Sequence, residues 1–223
     1  MPELWRDDAA LFLLARRELF TAVVGDVMDR CKLRHQFLPP QIQPLAPEMV
    51  VVGRAMTVLE ADVFEEDPKN AFGLMFQALD DLQPNEVYVC AGASPRYALW
   101  GELMSTRALQ RGAAGAVVDG CLRGTRGILA MGFPAFSRGR YAQDQGPRGK
   151  VIDFRVPIEM EGTRIESGDI VFGDLDGVCI VPKNWEKEVF MLAFEKARKE
   201  KTARRDLEAG LSAAEVFRKH GIF

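Results

Sequence analysis

The sequence predicts an α/β fold, and three patterns along the chain predict it. Residues 86–120 have the pattern strand, helix, strand, a crossover unit that places parallel strands side by side. Residues 133–182 alternate short β-branched runs with glycines, which is typical of a layer of short strands. A long helix is then predicted from Trp185 to about Leu207, with apolar positions near its start and almost only charged residues from Glu195 onward.

Length and composition limit the classes of protein to consider. The chain has 223 residues, of which 48% are hydrophobic and 27% charged, with a net charge of −3. This predicts one globular domain over residues 1–223, and the mild acidity argues against nucleic acid or an anionic membrane as a partner. No apolar run reaches the roughly 18 residues of a membrane span, and the first residues lack the layout of a secretion signal, so a cytoplasmic location is expected.

The first third of the chain predicts helices, then an extended connector, then a strand. Residues 8–30 indicate two helices, with Thr21 placed to cap the second. Four prolines between residues 37 and 47 forbid a continuing helix and predict an extended connector. A strand is expected at 49–60, and a helix at 70–80 follows it.

The middle of the chain is the most regular part. Its predicted elements are a strand at 86–92, a helix at Tyr97–Arg111, a strand at 115–120 and a short helix at Thr125–Met131. Ligands bind at the carboxyl ends of parallel strands, where helix amino termini present unpaired amides, so chemistry is expected after Val89 and after Val118. At the far end of the chain, Ser212 and Glu215 form a capping box for a final short helix.

The residue inventory excludes several kinds of active site. The four cysteines lie far apart without paired spacing, and buried thiols are the simpler interpretation. Two histidines are too few for a zinc site built on paired histidines or for a serine-histidine-aspartate triad with a spare histidine. Catalysis must therefore rely on carboxylates, arginines, backbone amides or a hard metal ion.

The loop from Asp119 to Gly127 combines glycines with Arg123 and Arg126. Glycines allow a ligand close to the backbone, and guanidinium groups bind carboxylate or phosphate in a forked geometry. In the crossover geometry, Arg123 and the start of the helix at Tyr97–Arg111 are expected to face one pocket that suits a small anion. Gly101, in the middle of that helix, suggests a close backbone approach or a break whose exposed amides can hold a carboxylate. The alternatives are a surface turn with solvated arginines and, for Gly101, tight helix packing.

Several blocks in chain order carry a resemblance over nearly the whole sequence: FLPPQIQPLAPEMVVVGRAMTV, then ALWGELMSTRALQRGAAGAVVDGCLRG, then VIDFRVPIEMEGTRIESGDIVFGDLDGVCIVP. They resemble the RraA-like superfamily, in particular its 4-hydroxy-4-methyl-2-oxoglutarate aldolase branch, whose members also decarboxylate oxaloacetate. The resemblance implies a three-layer β/β/α fold with a central β core and a long C-terminal helical extension at about 183–223. It also implies homotrimers or homohexamers with pockets between neighbouring subunits.

The resemblance implies a role for each of a few residues. Arg123 resembles the arginine that steadies the pyruvate enolate, and the backbone of Gly101, Glu102, Leu103 and Met104 resembles the segment that holds the substrate carboxylate. Glu102 further resembles the acid that contacts a Mg²⁺ or Mn²⁺ ion through water. Glu200 resembles a catalytic acid supplied across a subunit boundary.

The chain departs from the family pattern at one position. The family's aldolases follow the arginine with an aspartate that binds the metal directly, whereas this chain has Gly124. Magnesium needs few protein ligands, because it retains several waters, so Glu102 and Asp119 are the candidate ligands that remain, with Asp144 as a further acid.

Three functions stay open at this point. The first is a carbon-carbon lyase that cleaves or decarboxylates a small 2-oxo acid and forms pyruvate. The second keeps the pocket but uses it for a metal-independent reaction on another anionic substrate, as Gly124 would allow. The third is a non-catalytic regulator of ribonuclease activity, which the resemblance also includes.

Overall fold

The computed structural model describes residues 4–65, 67 and 69–222. Over these residues the helices are α1 (Asp8–Glu18), α2 (Thr21–Arg30), α3 (Met75–Asp81), α4 (Glu102–Gln110), α5 (Thr125–Met131), α6 (Glu186–Glu208) and α7 (Ala213–His220). The strands are β1 (Gln43–Pro44), β2 (Val51–Asp62), β3 (Glu86–Ala91), β4 (Ala98–Trp100), β5 (Gly115–Leu122), β6 (Ala135–Arg140), β7 (Gly149–Phe154), β8 (Ile158–Met160), β9 (Thr163–Ile165), β10 (Ile170–Asp174) and β11 (Gly177–Val181).

One large sheet organises the molecule. Its strands run in the order β1, β6, β5, β3, β2, β10, β11, with β4 paired to β5 and β7 paired to β2. The predicted crossover is confirmed, because β3 and β5 pair in parallel. The segment before β1 bridges β11, with Phe37 opposite Cys179, so the sheet curls until it is nearly closed.

The two faces of the sheet serve two separate cores. Neighbouring residues of a strand point to opposite faces, so Val51 packs into one core and Val52 into the other. The first core joins the central strands to α3, α4 and α5. The second joins α1, α2 and α6 to the opposite face of β2, β10 and β11. This arrangement confirms the predicted mixed α/β architecture with a long C-terminal helix.

The C-terminal extension folds as two packed helices. The first half of α6 is buried against α2 through side chains such as Val189 and Phe190. Near its end, Asp206 accepts hydrogen bonds from Lys219 and pairs with His220, which ties α7 back onto α6. The predicted capping box at Ser212 and Glu215 is confirmed. No helix in the described part of the chain is both long and apolar enough to cross a membrane.

Two local predictions are wrong. Residues 98–100 form strand β4 rather than the first turn of a helix, because their apolar side chains are buried beside β5, and α4 begins only at Glu102. Thr21 is the first residue of α2 rather than its cap. The capping group comes from a distant strand: Asp174 accepts hydrogen bonds from the Thr21 backbone N–H at 2.8 Å and from its hydroxyl at 2.5 Å.

Asp174→Ala is expected to destabilise the protein by about 1 kcal/mol, since it leaves an N-terminal amide of α2 without its side-chain partner. The measurement is urea unfolding followed by circular dichroism. Asp176→Ala is the control, because that exposed carboxylate lies two residues away and makes no bond to α2. Equal free energies of unfolding for the two variants would contradict the capping role.

Candidate active site

Two neighbouring strand ends bring the predicted residues together. β4 and β5 run in parallel, with Ala98 opposite Cys121 and Trp100 opposite Leu122. Arg123 and Gly101 are therefore the first residues beyond the carboxyl ends of adjacent strands. The Arg123 backbone N–H donates to the Trp100 carbonyl at 3.0 Å, which fixes the two chain segments side by side.

A cavity of about 690 Å³ opens at this point. Gly101, Glu102, Leu103, Met104 and Arg123 all lie in its wall. The remaining lining residues include an apolar group from the α3 region and four further polar side chains, Asp80, Arg107, Asp144 and Gln145. The expectation that Arg123 and the start of α4 face one pocket therefore agrees with the geometry.

The first turn of α4 presents unpaired amides to this cavity. Gly101 adopts an extended conformation at the N-cap, and no side chain caps the helix. The first backbone bond of the helix is from the Ser105 N–H to the Gly101 carbonyl, at 3.0 Å. The N–H groups of residues 102–104 consequently have no partner within the helix, and together with the helix dipole they favour a negatively charged group.

Arg123 extends across the same place. A Cβ atom added to Gly101 would lie 3.5 Å from the Arg123 Cγ, so the arginine stem rests directly over this glycine. At its tip, Arg123 Nη2 forms an ion pair with Asp144 Oδ1 at 2.8 Å, and both side chains stay partly exposed. A planar guanidinium has five N–H donors, so this pair leaves donors for a ligand in the cavity.

The Glu102 carboxylate lies against the loop that follows Arg123. A Cβ at Gly124 would be 3.0 Å from the Glu102 Cβ, and a Cβ at Gly127 would overlap the carboxylate itself. The two glycines thus provide the space that Glu102 occupies. Its side chain accepts no hydrogen bond from the residues that the structure describes, so the carboxylate can accept one from a ligand in the cavity.

The structure does not bring the other two predicted acids into this cavity. Asp119 lies on β5 and accepts a hydrogen bond from Arg138 Nε at 2.5 Å. Glu200 lies on α6 and pairs with Lys196. Neither is among the residues that line the cavity. The role implied for Glu200 requires a second copy of the chain, and it stays a prediction.

The residues present do not fit a preformed metal centre. The described part of the chain contains no group of three or more histidine, cysteine, aspartate or glutamate side chains placed to hold an ion. Gly124 supplies no side chain where the family resemblance implies a direct ligand, and Asp144 is already paired with Arg123. Among the described residues that line the cavity, only Glu102 has a carboxylate without an ion-pair partner.

Gly124→Asp tests this conclusion directly. We expect the variant to bind Mn²⁺ at least about tenfold more tightly, since even groups that contact an ion indirectly are worth this much. We also expect its free energy of unfolding to fall by about 1 kcal/mol. The loss follows from φ of +62° at Gly124, a conformation that disfavours a side chain. Mn²⁺ titration and urea unfolding measure the two effects.

Gly132→Asp is the matched control for that variant, because Gly132 has φ of +61° at the opposite end of α5 and open space around it. It should lose the part of the stability that the positive φ costs and leave Mn²⁺ binding unchanged. Equal Mn²⁺ affinity in both variants would show that position 124 is not the missing ligand.

Sequence reasoning missed one whole wall of the cavity. Phe72, Met75, Phe76 and Leu79 recur at the spacing of one helix face, and the sequence predicts the helix but not the cavity behind it. Apolar residues at this spacing most often belong to a core, so the signal by itself does not mark a binding site. Only the packing of α3 beside α4 reveals it.

Known proteins resemble this chain over most of its length. Residues 21–180 match the RraA-like family, described as Aldolase/RraA. A protein of Halalkalibacterium halodurans, provisionally named a 4-hydroxy-4-methyl-2-oxoglutarate aldolase, is 30% identical over 92% of this chain and 93% of its own.

Two solved structures support the same fold. An uncharacterised protein of Pseudomonas syringae pv. tomato has a TM-score of 0.84 and 25% identity, covering 97% of both chains. Streptomyces coelicolor RraAS2, described as an unusual member of the RNase ES inhibitor RraA protein family, has a TM-score of 0.77 and 23% identity, covering 90% of this chain and 98% of its own. The family match and these similarities establish that the chain belongs to the RraA-like family.

Proposed function

We propose that this protein is a carbon-carbon lyase that acts on a small 2-oxo acid and releases pyruvate. The observation that carries the proposal is the convergence of Arg123 and the unpaired amides of α4 on one cavity. The name of the Halalkalibacterium halodurans relative, an aldolase for a 2-oxo acid, supports the same reaction class.

The cavity suits the carboxylate and the neighbouring keto oxygen that every 2-oxo acid presents. The substrate carboxylate would accept hydrogen bonds from the amides of residues 102–104, where the helix dipole also favours it. Arg123 would donate to the oxygen of the neighbouring keto group. This assignment uses both anion-binding features and leaves the rest of the substrate to extend along the cavity.

Cleavage of a 4-hydroxy-2-oxo acid needs one base and one stabilised anion. Glu102 would take the proton of the C4 hydroxyl, and C4 would become a carbonyl as its bond to C3 breaks. The electron pair of that bond passes to C3 and the keto oxygen as an enolate, which Arg123 stabilises. Protonation at C3 then gives pyruvate. In oxaloacetate the same enolate forms when carbon dioxide leaves.

No step of this mechanism runs through a metal ion, because the residues present do not form a metal site. The family resemblance implies Mg²⁺ or Mn²⁺, which would supply additional charge stabilisation to the enolate. The dependence of the rate on a metal ion is a separate question, which measurements with chelator, Mg²⁺ and Mn²⁺ answer.

The test is pyruvate release from 4-hydroxy-4-methyl-2-oxoglutarate, from oxaloacetate and from 4-hydroxy-2-oxohexanoate, a substrate with a single carboxylate. Release is followed with a coupled lactate dehydrogenase assay. Each substrate is measured with chelator, with Mg²⁺ and with Mn²⁺, and spontaneous decarboxylation is subtracted with a protein-free control. Protein-dependent release from at least one substrate is expected. Absence of release under all three conditions would remove the proposed reaction.

A further inference from the structure

One side of the cavity is apolar, and this side limits the chain that a 2-oxo acid can carry beyond its carboxylate and keto group. Phe72, Met75, Phe76 and Leu79 line it, and Met75 and Leu79 are buried. The rings of Phe72 and Phe76 contact each other edge to face, with centroids 5.5 Å apart. The wall therefore offers a continuous hydrocarbon surface to a ligand.

The charged groups along this wall satisfy each other. Arg107 Nε donates to Asp80 Oδ1 at 2.7 Å, and both residues lie in the cavity wall. Arg107 is one helical turn beyond Leu103, about 6 Å along α4 from the amides that we assign to the substrate carboxylate. Among the residues that line the cavity, Arg107 is the cation near the apolar wall, and it is already paired with Asp80.

The charges that line the whole cavity also argue against a second carboxylate on the substrate. The cavity lining contains the guanidinium groups of Arg107 and Arg123 and the carboxylates of Asp80, Glu102 and Asp144. One substrate carboxylate has the α4 amides as partners, and Arg123 is assigned to the neighbouring keto oxygen. A second carboxylate would lie among apolar side chains and existing carboxylates. To pair with it, Arg107 would have to give up its ion pair with Asp80.

We propose that the preferred substrate is a monocarboxylic 2-oxo acid with an aliphatic or aromatic chain that packs against Phe72, Met75, Phe76 and Leu79. This inference rests on the proposed function only for the position of the carboxylate and keto group. It separates this chain from a protein that selects a second carboxylate at the far end of its substrate.

Binding of 2-oxo acids that lack the 4-hydroxyl group tests the inference without cleavage. Dissociation constants are measured by calorimetry for 2-oxobutanoate, 2-oxohexanoate and 2-oxoadipate. We expect affinity to rise about fourfold for each added methylene group between the first two acids. We also expect 2-oxohexanoate to bind at least about tenfold more tightly than 2-oxoadipate, which has the same chain length but a second carboxylate.

Two variants locate the effect on the proposed wall. Phe76→Ala should remove most of the gain in affinity from chain length, whereas the control Phe217→Ala should keep it. Both phenylalanines are 57% exposed, and Phe217 lies on α7, away from the cavity. Asp80→Asn should reduce the preference against 2-oxoadipate, because it leaves Arg107 free to pair with the second carboxylate.

The outcomes separate this inference from the proposed reaction. Equal or tighter binding of 2-oxoadipate, or an unchanged chain-length gain in Phe76→Ala, overturns the inference even if pyruvate is released from hydroxylated substrates. The expected preference without any pyruvate release supports the inference and overturns the reaction. Failure of every 2-oxo acid to bind overturns both.

Discussion

Arg123→Ala is expected to lower kcat/KM for pyruvate release by about 10²- to 10³-fold, the usual loss when one preorganised donor to a developing oxyanion is removed. The physical reason is that the proposed mechanism develops the enolate charge beside this guanidinium, in a cavity whose wall is largely apolar. The measurement is steady-state kinetics on whichever substrate releases pyruvate.

Arg126→Ala is the matched control for this prediction. Arg126 is exposed on α5, three residues from Arg123, and is not part of the cavity wall. Its loss should change kcat/KM by less than about threefold, within the small effects expected of surface substitutions. Arg123→Lys should recover part of the activity, since it restores the charge without the forked donor geometry. Comparable losses in the two alanine variants would remove Arg123 from the mechanism.

Glu60 is expected to make stability fall as pH rises. Its side chain is 1% exposed, and its Oε1 has no hydrogen-bond partner among the described residues. Burial raises the pKa of this carboxyl from 4.5 to about 8. The Cys90 thiol, 3.7 Å from Oε2, is a weak donor that only partly opposes this shift.

The sign follows from proton binding. Below pH 4.5 both the folded and the unfolded chain hold this proton, and burial of Glu60 has no ionisation cost. Between pH 4.5 and about 8 only the folded chain holds it, so stability declines by up to about 1.4 kcal/mol per pH unit. Above pH 8 the folded chain also loses the proton, and the cost becomes constant.

Glu60→Gln isolates this effect, because glutamine cannot ionise. Urea unfolding of the wild type and the variant is compared at pH 5, 6 and 7, and the stability of the variant relative to the wild type should rise at each step. Glu48→Gln makes the same change at an exposed position and should give a nearly constant difference. A constant difference for Glu60→Gln would show that the folded protein accommodates the ionised carboxylate.

Most of the fold follows from local patterns in the sequence. Helix α5 coincides with the predicted residues 125–131, and β3 and β5 pair in parallel as the crossover pattern requires. These elements are predictable because their hydrophobic periods match the elements that they form. Residues 98–100 are different: their three apolar residues fit a helix or a strand equally well, and only pairing with β5 decides in favour of the strand.

Part of the candidate site can likewise be predicted from the sequence, and part of it cannot. The position of Arg123 follows from the sequence, because it comes just after the predicted strand 115–120. The position of Gly101 at a helix start does not, since only strand β4 places it there. The partners of the acids do not follow from the sequence either. Asp119 and Asp144 are both acids near arginines in the sequence, yet Asp119 is held by Arg138, whereas Asp144 reaches Arg123 in the cavity.

The sequence by itself determined the order of most strands and helices, the membership of the RraA-like family that the comparisons confirm, and the glycine at position 124. The tertiary structure alone decided that α3 forms an apolar wall opposite Arg123, that Asp174 caps a helix 153 residues away, and that Glu60 is buried without a full set of partners. The physical reason is range: periodicity and capping signals act between neighbouring residues, whereas burial and charge pairing depend on which distant segments the fold packs together.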